Sequence, residues 1–320
     1  MANRTRRPTH VTVESFFNDH HSKLKLRRLG SKTGFGRRIS EPTVNRPGLA
    51  LAEFYTYFAY RRIQVFGHSE FSYLNSLPQE LREARLSNLF TREIPCIVMS
   101  RGREMPPEWL ALAEEAGISV FGTSMITMKF INAATIALEW DFAPTCSAHG
   151  CMVDVKGIGV MIIGKSGSGK SETVLGLLER GCALVADDLV HFRALEGREI
   201  IGTAPELGRS HMEVRGLGVL NIPAIYGIGS MRLEKRLDLV IELKPSEELN
   251  NVERISTKSQ FHTVLGIKVP KVEVPVAAGR DVARLIEVAA LDQKLKSFGH
   301  DAAIEFNKKL LKIMRSRRIN

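Results

Sequence analysis

What this chain of 320 residues lacks already narrows the field. It has four cysteines, Cys96, Cys146, Cys151 and Cys182, and no C-x-x-C pair among them. That excludes a disulfide scaffold and points to a reducing compartment. Cys146, His149 and Cys151 stand close together, but no further ligand pair follows at finger-like spacing, so no structural zinc is expected. Gly (26) and Pro (13) are ordinary in number and no low-complexity tract occurs, which removes collagen and wholesale disorder. No internal repeat is visible. The nearest thing to a membrane span, Phe121 to Trp140, carries Lys129, Asn132 and Glu139 and reads as an amphipathic helix. The N-terminus has no apolar h-region, and Glu14 and Asp19 argue against a transit peptide. A cytoplasmic protein without a membrane span is expected.

The charge is uneven. The net value is +10, yet residues 1–40 hold +8 and residues 305–320 hold +5, which leaves the middle slightly acidic. Basic ends on a near-neutral body read first as solvated chain ends and second as arms for an anionic partner. No Lys/Arg-rich helix interleaved with aromatics accompanies them, so nucleic acid is not the expected partner.

Three segments follow from the pattern: a basic N-terminal extension (1–45), an α/β domain (46–143) and a larger α/β domain (144–320). In the second, Ile63 to Phe66, Pro95 to Ser100 and Ile118 to Phe121 read as strands. Helices from Pro78 to Phe90 and from Pro106 to Gly117 lie between them, and strict alternation predicts a small parallel sheet. A long helix from Met125 to near Pro144 closes that domain. In the third segment, Met152 to Val155, Gly157 to Ile163, Ala183 to Ala186, Leu237 to Leu243 and Val269 to Val276 read as strands. Lys170 to Arg180, Asp281 to Lys296 and Asp301 to Met314 read as helices, giving a domain with a mixed sheet.

The sharpest motif is Gly164-Lys165-Ser166-Gly167-Ser168-Gly169-Lys170-Ser171, which fits G-x-x-x-x-G-K-[ST] in full. Its glycines let successive backbone N–H groups turn inward on phosphate oxygens. Lys170 supplies charge for the outer phosphates and the Ser171 hydroxyl can ligate Mg²⁺. A buried strand precedes the motif and a helix follows it, which adds the anion affinity of a helix N-terminus. A dinucleotide fold is excluded, because no G-x-G-x-x-G occurs.

The next strand ends in Asp187-Asp188. An apolar strand that delivers carboxylates beside a phosphate loop is how such sites hold Mg²⁺ or position a nucleophile. The N-K-x-D signature of GTPases and the H-R-D and D-F-G signatures of protein kinases are absent, so those classes drop out.

Four blocks in order, His149 to Gly159, Gly164 to Glu172, Leu184 to Asp188 and Met212 to Gly218, resemble the bacterial HPr kinase/phosphorylase family. The likeness extends to Val269 to Arg280 and back to Arg46-Pro-Gly-Leu and Arg62-Ile-Gln-Val-Phe-Gly. The resemblance implies a P-loop kinase domain that uses ATP and Mg²⁺ to phosphorylate a seryl hydroxyl on the phosphocarrier HPr. It also implies a reverse reaction in which inorganic phosphate attacks phosphoserine and pyrophosphate leaves. Carried over by position, Asp187 resembles the catalytic acid/base, Asp188 and Glu213 the magnesium-side carboxylates beside Ser171, His149 a phosphate-side contact, and Arg254 an arginine of a functional loop. Asp281 stands where the family usually has Asn. A homo-oligomer, a hexamer, is implied as well.

The terminal helix has its own logic. Ala302, Ile304, Phe306, Leu310, Leu311 and Ile313 make an apolar face, and Lys308, Lys309, Lys312, Arg315, Arg317 and Arg318 a basic one suited to an anionic partner. Two other readings stay open on the residues alone. One is a small-metabolite or carboxykinase-like P-loop enzyme, and the other is a nucleotide-gated regulator that binds nucleic acid through its basic ends.

Overall fold

A computed structural model describes residues 5–249, 260–277 and 279–317. The described chain divides into two units, one formed by Arg7–Ala143 and the other by Pro144 onward together with Thr5 and Arg6.

The first unit is a sheet covered on both faces. Its strands are β1 (Leu26–Arg28), β2 (Val44–Asn45), β3 (Ile63–Phe66), β4 (Cys96–Met99) and β5 (Ser119–Thr123), in the order β1-β5-β4-β3-β2. Four of them run parallel, and β1 joins β5 antiparallel. The expected all-parallel sheet therefore has one antiparallel edge. The helices are α1 (Val13–Leu24), α2 (His68–Ser76), α3 (Gln79–Phe90), α4 (Pro107–Glu115) and α5 (Thr127–Phe142). One core gathers Phe66, Ile97 and Met99 with Leu74, Leu86 and Trp109. The other gathers Val65, Val98 and Phe121 with Phe16, Phe130 and Leu138. Each central strand is buried at every position, which is why Cys96–Met99 reads as an unbroken apolar run, while Ile63–Phe66 is broken only by Gln64, whose buried amide is hydrogen-bonded to Asn45 and to the carbonyl oxygens of Ala59 and Arg62.

From Arg7 on, the stretch read as a basic extension is folded into this unit. The α1 helix is capped by the Thr12 hydroxyl, which accepts from the Ser15 N–H, and it buries Val13 and Phe16. Phe17 and Phe35 pack on Phe121 with ring centroids 5.0 and 6.0 Å away. Most basic residues of this stretch take outward positions, while Arg37 turns inward and donates to the carbonyl oxygens of Ile94 and Ala116, so its charge and its burial coexist.

The second unit holds β6 (Thr145–His149), β7 (Cys151–Val155), β8 (Ile158–Gly164), α6 (Lys170–Glu179), β9 (Ala183–Ala186), β10 (Leu189–Leu195) and β11 (Glu199–Thr203). It continues with β12 (His211–Val214), β13 (Gly218–Asn221), β14 (Glu234–Arg236), β15 (Leu239–Pro245), β16 (Gln260–Val264), β17 (Ile267–Val276), α7 (Val282–Ser297) and α8 (Ala302–Arg317). A six-stranded mixed sheet runs β9-β7-β8-β15-β17-β16, and a four-stranded antiparallel sheet runs β14-β11-β10-β6. Val174, Leu177, Ile286 and Ala290 of α6 and α7 cover one face of the larger sheet, over Val153, Val160 and Ile241. Met152, Met161 and Val240 on its other face meet Phe192 and Ile200 of the smaller sheet. The Asp281 carboxylate caps α7 by accepting from the Arg284 N–H, and it also pairs with Arg180 beyond the end of α6. In α8, Ile304 and Phe306 are exposed, and the side chains of Leu310, Leu311 and Ile313 lie outside the described residues.

Strand direction places the site. Both β8 and β9 run antiparallel to the strand between them, β7, and are therefore parallel to each other. Their carboxyl ends, Gly164 and Ala186, share one edge of the sheet, and β7 begins between them at Cys151.

Candidate active site

The phosphate loop leaves β8 at Gly164 and enters α6 at Lys170. Gly167 and Gly169 take φ of +77° and +80°, left-handed values at which a side chain would be strained. A Cβ on Gly164 would stand 2.6 Å from the Ser168 hydroxyl oxygen, so only glycine lets the loop fold this tightly. The Ser168 hydroxyl is buried with no protein partner, and the Lys170 ammonium donates to the carbonyl oxygens of Gly164 (3.2 Å) and Lys165 (3.1 Å).

Across the shared edge, Asp187 and Asp188 are splayed by the backbone. Asp188 has φ of +58°, and the Leu189 N–H donates to the Asp187 carbonyl at 2.7 Å, a tight reversal from β9 into β10. Asp is among the few non-glycine residues that accept this conformation readily. Asp187 stays half-buried beside the loop, and the Asp188 side chain is exposed. Both Asp187 oxygens are held: Oδ1 accepts from the Cys151 thiol at 3.0 Å and Oδ2 from the Glu213 N–H at 3.1 Å. Burial, with the Asp187 carboxylate close by, pushes the Cys151 thiol far above the ordinary range, so it stays a protonated donor.

The hairpin β12–β13 brings Glu213 to the site. A cleft of about 280 Å³ is lined by the loop residues Ser166, Gly167, Gly169, Lys170 and Ser171, by Asp187 and Asp188, and by Glu172, Glu213 and Arg215. The Arg215 guanidinium comes within 3.9 Å of where a Cβ on Gly167 would lie. Glu172 and Arg215, which the sequence does not single out, join the cleft because each lies within a segment that supplies other lining residues. His149 stands at the rim, with its Nδ1 4.0 Å from Asp188 Oδ1 and its ring exposed. Arg254 falls outside the described residues. The four cysteines are buried free thiols. No cluster of three or more His, Cys, Asp or Glu able to hold a metal occurs among the described residues.

The donor set suits Mg²⁺ with phosphate. Mg²⁺ prefers hard oxygens and is usually held by one or two carboxylates plus phosphate oxygens, not by an all-protein cage. Ser171, Asp188 and Glu213 offer that, and the buried Ser168 hydroxyl is a donor awaiting an acceptor in the loop.

Residues 140–310 match the family of the HPr Serine kinase C-terminal domain, and residues 11–138 match the HPr Serine kinase N terminus. The chain belongs to the HPr serine kinase family. An HPr kinase/phosphorylase from Leptospira biflexa is 40% identical over 302 residues, 94% of this chain and 94% of its own. One from Bacillus licheniformis is 39% identical over 92% of this chain and 96% of its own. The solved Hpr(Ser) kinase/phosphatase from Coxiella burnetii overlays on 50% of this chain and 97% of its own, at 28% identity and a TM-score of 0.46, too partial to add to the assignment. Among the described residues no helix is long and apolar enough to cross a membrane.

Proposed function

We propose that this family member is a cytoplasmic enzyme that transfers the γ-phosphoryl group of ATP, with Mg²⁺, to a seryl hydroxyl of HPr, and that it also runs the phosphorolytic reverse. The observation that carries the reading is a single cleft in which a complete phosphate loop faces Asp187, Asp188 and Glu213. Relatives that carry the name HPr kinase/phosphorylase over nearly the whole chain support the choice of acceptor.

Mg²⁺, when bound, would supply positive charge against the negative charge of the phosphates. Ser171, Asp188 and Glu213 are the residues to hold it. Backbone N–H groups of the Gly164–Ser171 loop cradle the phosphates and Lys170 adds charge to the outer ones, so positioning and electrostatics carry most of the catalysis. Asp187 accepts the seryl proton as the serine oxygen attacks the γ-phosphorus. In reverse, an oxygen of inorganic phosphate attacks the phosphoserine phosphorus, the seryl oxygen departs with a proton from Asp187, and pyrophosphate is released. One carboxylate serves both directions because a base that takes a proton going forward must return it coming back. Arg215 at the loop and His149 at the rim supply further contacts for phosphate oxygens, and Arg254 is assigned by family position alone.

The assay is purified protein with HPr and γ-labelled ATP, followed by mapping of the label, with free serine as a parallel acceptor. Label on one HPr serine supports the reading. Label on free serine alone would make the chain a small-metabolite kinase. Purified phosphoserine-HPr with inorganic phosphate should yield pyrophosphate, whereas release of orthophosphate only would remove the reverse reaction. A hexamer is proposed on family grounds, and its mass in solution tests it.

A further inference from the structure

We infer that Cys151 is a positioning residue that holds the Asp187 carboxylate in the orientation needed for proton transfer. The inference rests on the reading of Asp187 as the acid/base of the proposed reaction. Cys151 opens β7 at the sheet edge shared by Gly164 and Ala186, and it is 1% exposed. Its strand neighbour on β8 is Ile162, two residues before the loop, and Met152 beside it pairs with Ala186, the residue before Asp187. Any side chain at this point lies between the phosphate loop and the carboxylate.

An apolar residue would fill that space, and much of the Cys151 surroundings, including Val153, Ile162 and Leu184, is apolar. The thiol adds a donor. Its bond to Oδ1 and the Glu213 N–H bond to Oδ2 fix both ends of the carboxylate, so the group cannot rotate about its terminal torsion without breaking one of them. A carboxylate oxygen has two lone-pair directions, and a single donor on each leaves one free on each. Asp187 is thus held in place while retaining capacity to receive the seryl proton. Glu213 holds one oxygen through its backbone, which no side-chain substitution there removes; Cys151 holds the other through a side chain, which substitution does remove.

The test combines a spectrum with kinetics. Infrared spectra of the wild type minus Cys151→Ser isolate the Cys151 S–H stretch from those of Cys96, Cys146 and Cys182. The band is expected at lower frequency than an unbonded thiol, and it should move up in Asp187→Ala. A band that does not respond to Asp187 overturns the contact whether or not the chain phosphorylates HPr, so this readout fails separately from the functional reading. With HPr and ATP, Cys151→Val keeps the shape and removes the donor: kcat should fall about threefold to tenfold, the scale of one modest hydrogen bond, with the KM for ATP unchanged. Cys151→Ser, which restores a donor, should recover most of that loss. Equal kcat for Val and wild type would reduce the thiol to packing. Equal losses for Val and Ser would do the same, since a structural defect does not follow donor capacity. Should Cys151→Val fold poorly by its melting temperature, Cys151→Ala takes its place in the comparison with Ser.

Discussion

The two units bury comparable cores by different means. In the first, a mostly parallel sheet is covered on both faces, so its central strands are buried at every position, Gln64, Ser119 and Thr123 included. In the second, β7 and β9 share that burial, as does β8 up to Ile162, but the small antiparallel sheet and the β12–β13 hairpin are covered on one side or hardly at all. Gly218, Val219 and Asn221 of β13 are exposed. Full burial makes a scaffold, and partial exposure makes a surface that can meet a ligand. The proposed site accordingly lies where a buried strand ends and an exposed hairpin begins.

Variants that strike one unit and spare the other sharpen the contrast. The largest effect should come from Lys170→Ala. Removal of the charge at the outer phosphates is expected to lower HPr phosphorylation by about 10³-fold or more, with the melting of the Arg7–Ala143 unit unchanged. Near-normal turnover in the labelled-ATP assay would undo the assignment of the loop. Phe121→Ala is the mirror experiment. The ring is fully buried against Phe17 and Phe35, and its loss should destabilise that unit by about 3–5 kcal/mol in calorimetry or denaturant titration. Little change there would mean that the 11–45 segment does not dock as described.

Asp187→Asn should lower the rate by about 10²-fold, the usual scale of a lost general base, while nucleotide affinity measured by titration calorimetry stays within a few fold. Collapse of binding with the saturated rate preserved would make Asp187 a metal ligand instead. Deletion of residues 300–320 removes the exposed Lys308 and Lys309 with the rest of α8. It should raise the KM for HPr roughly tenfold, more at high salt, with ATP binding intact; an unchanged KM would place HPr recognition elsewhere.

The smallest effect is one of pH. Burial first, and Lys271 second, hold the His262 imidazole below its ordinary value of 6.5. A histidine kept neutral in the fold costs stability once the unfolded chain begins to take up its proton. The second unit should therefore be steady above about pH 6.5 and lose stability as the pH falls below it, down through the depressed folded value. Denaturant midpoints measured across that range in the wild type and in His262→Gln check this, and parallel slopes would contradict it.

The parts of the molecule that could be read from sequence were those where burial wrote a simple pattern. Ile63–Phe66 and Ala183–Ala186 have the bounds expected from sequence, because full burial leaves short runs that are apolar apart from Gln64. The helix α1 is not legible in the same way: His20 stands in its buried stripe between Phe16 and Leu24, and the neighbourhood is basic. In β10, the alternation of Val190, Phe192 and Ala194 with His191 and Arg193 was present but unused. The phosphate loop was legible because its chemistry tolerates few other residues. The paired acids were legible as types, but their separation depends on the left-handed backbone at Asp188, which residue type does not announce. The thiol contact of Cys151 was invisible, since it depends on β7 lying between two parallel strands and not on any local motif.

That intervening strand also shapes how the site can assemble. The loop, α6 and Asp187 come from one stretch, Cys151 to Asp188, whose strands pair with near neighbours in the chain, whereas β15 and β17 must return from residues 239–276 to complete the sheet beside β8. Short loops cost little entropy to close, and local contacts form fast. The phosphate cradle and its carboxylate are thus a low contact-order nucleus that can organise ahead of the strands that later buttress it, and bound nucleotide would favour the native side of that step by mass action.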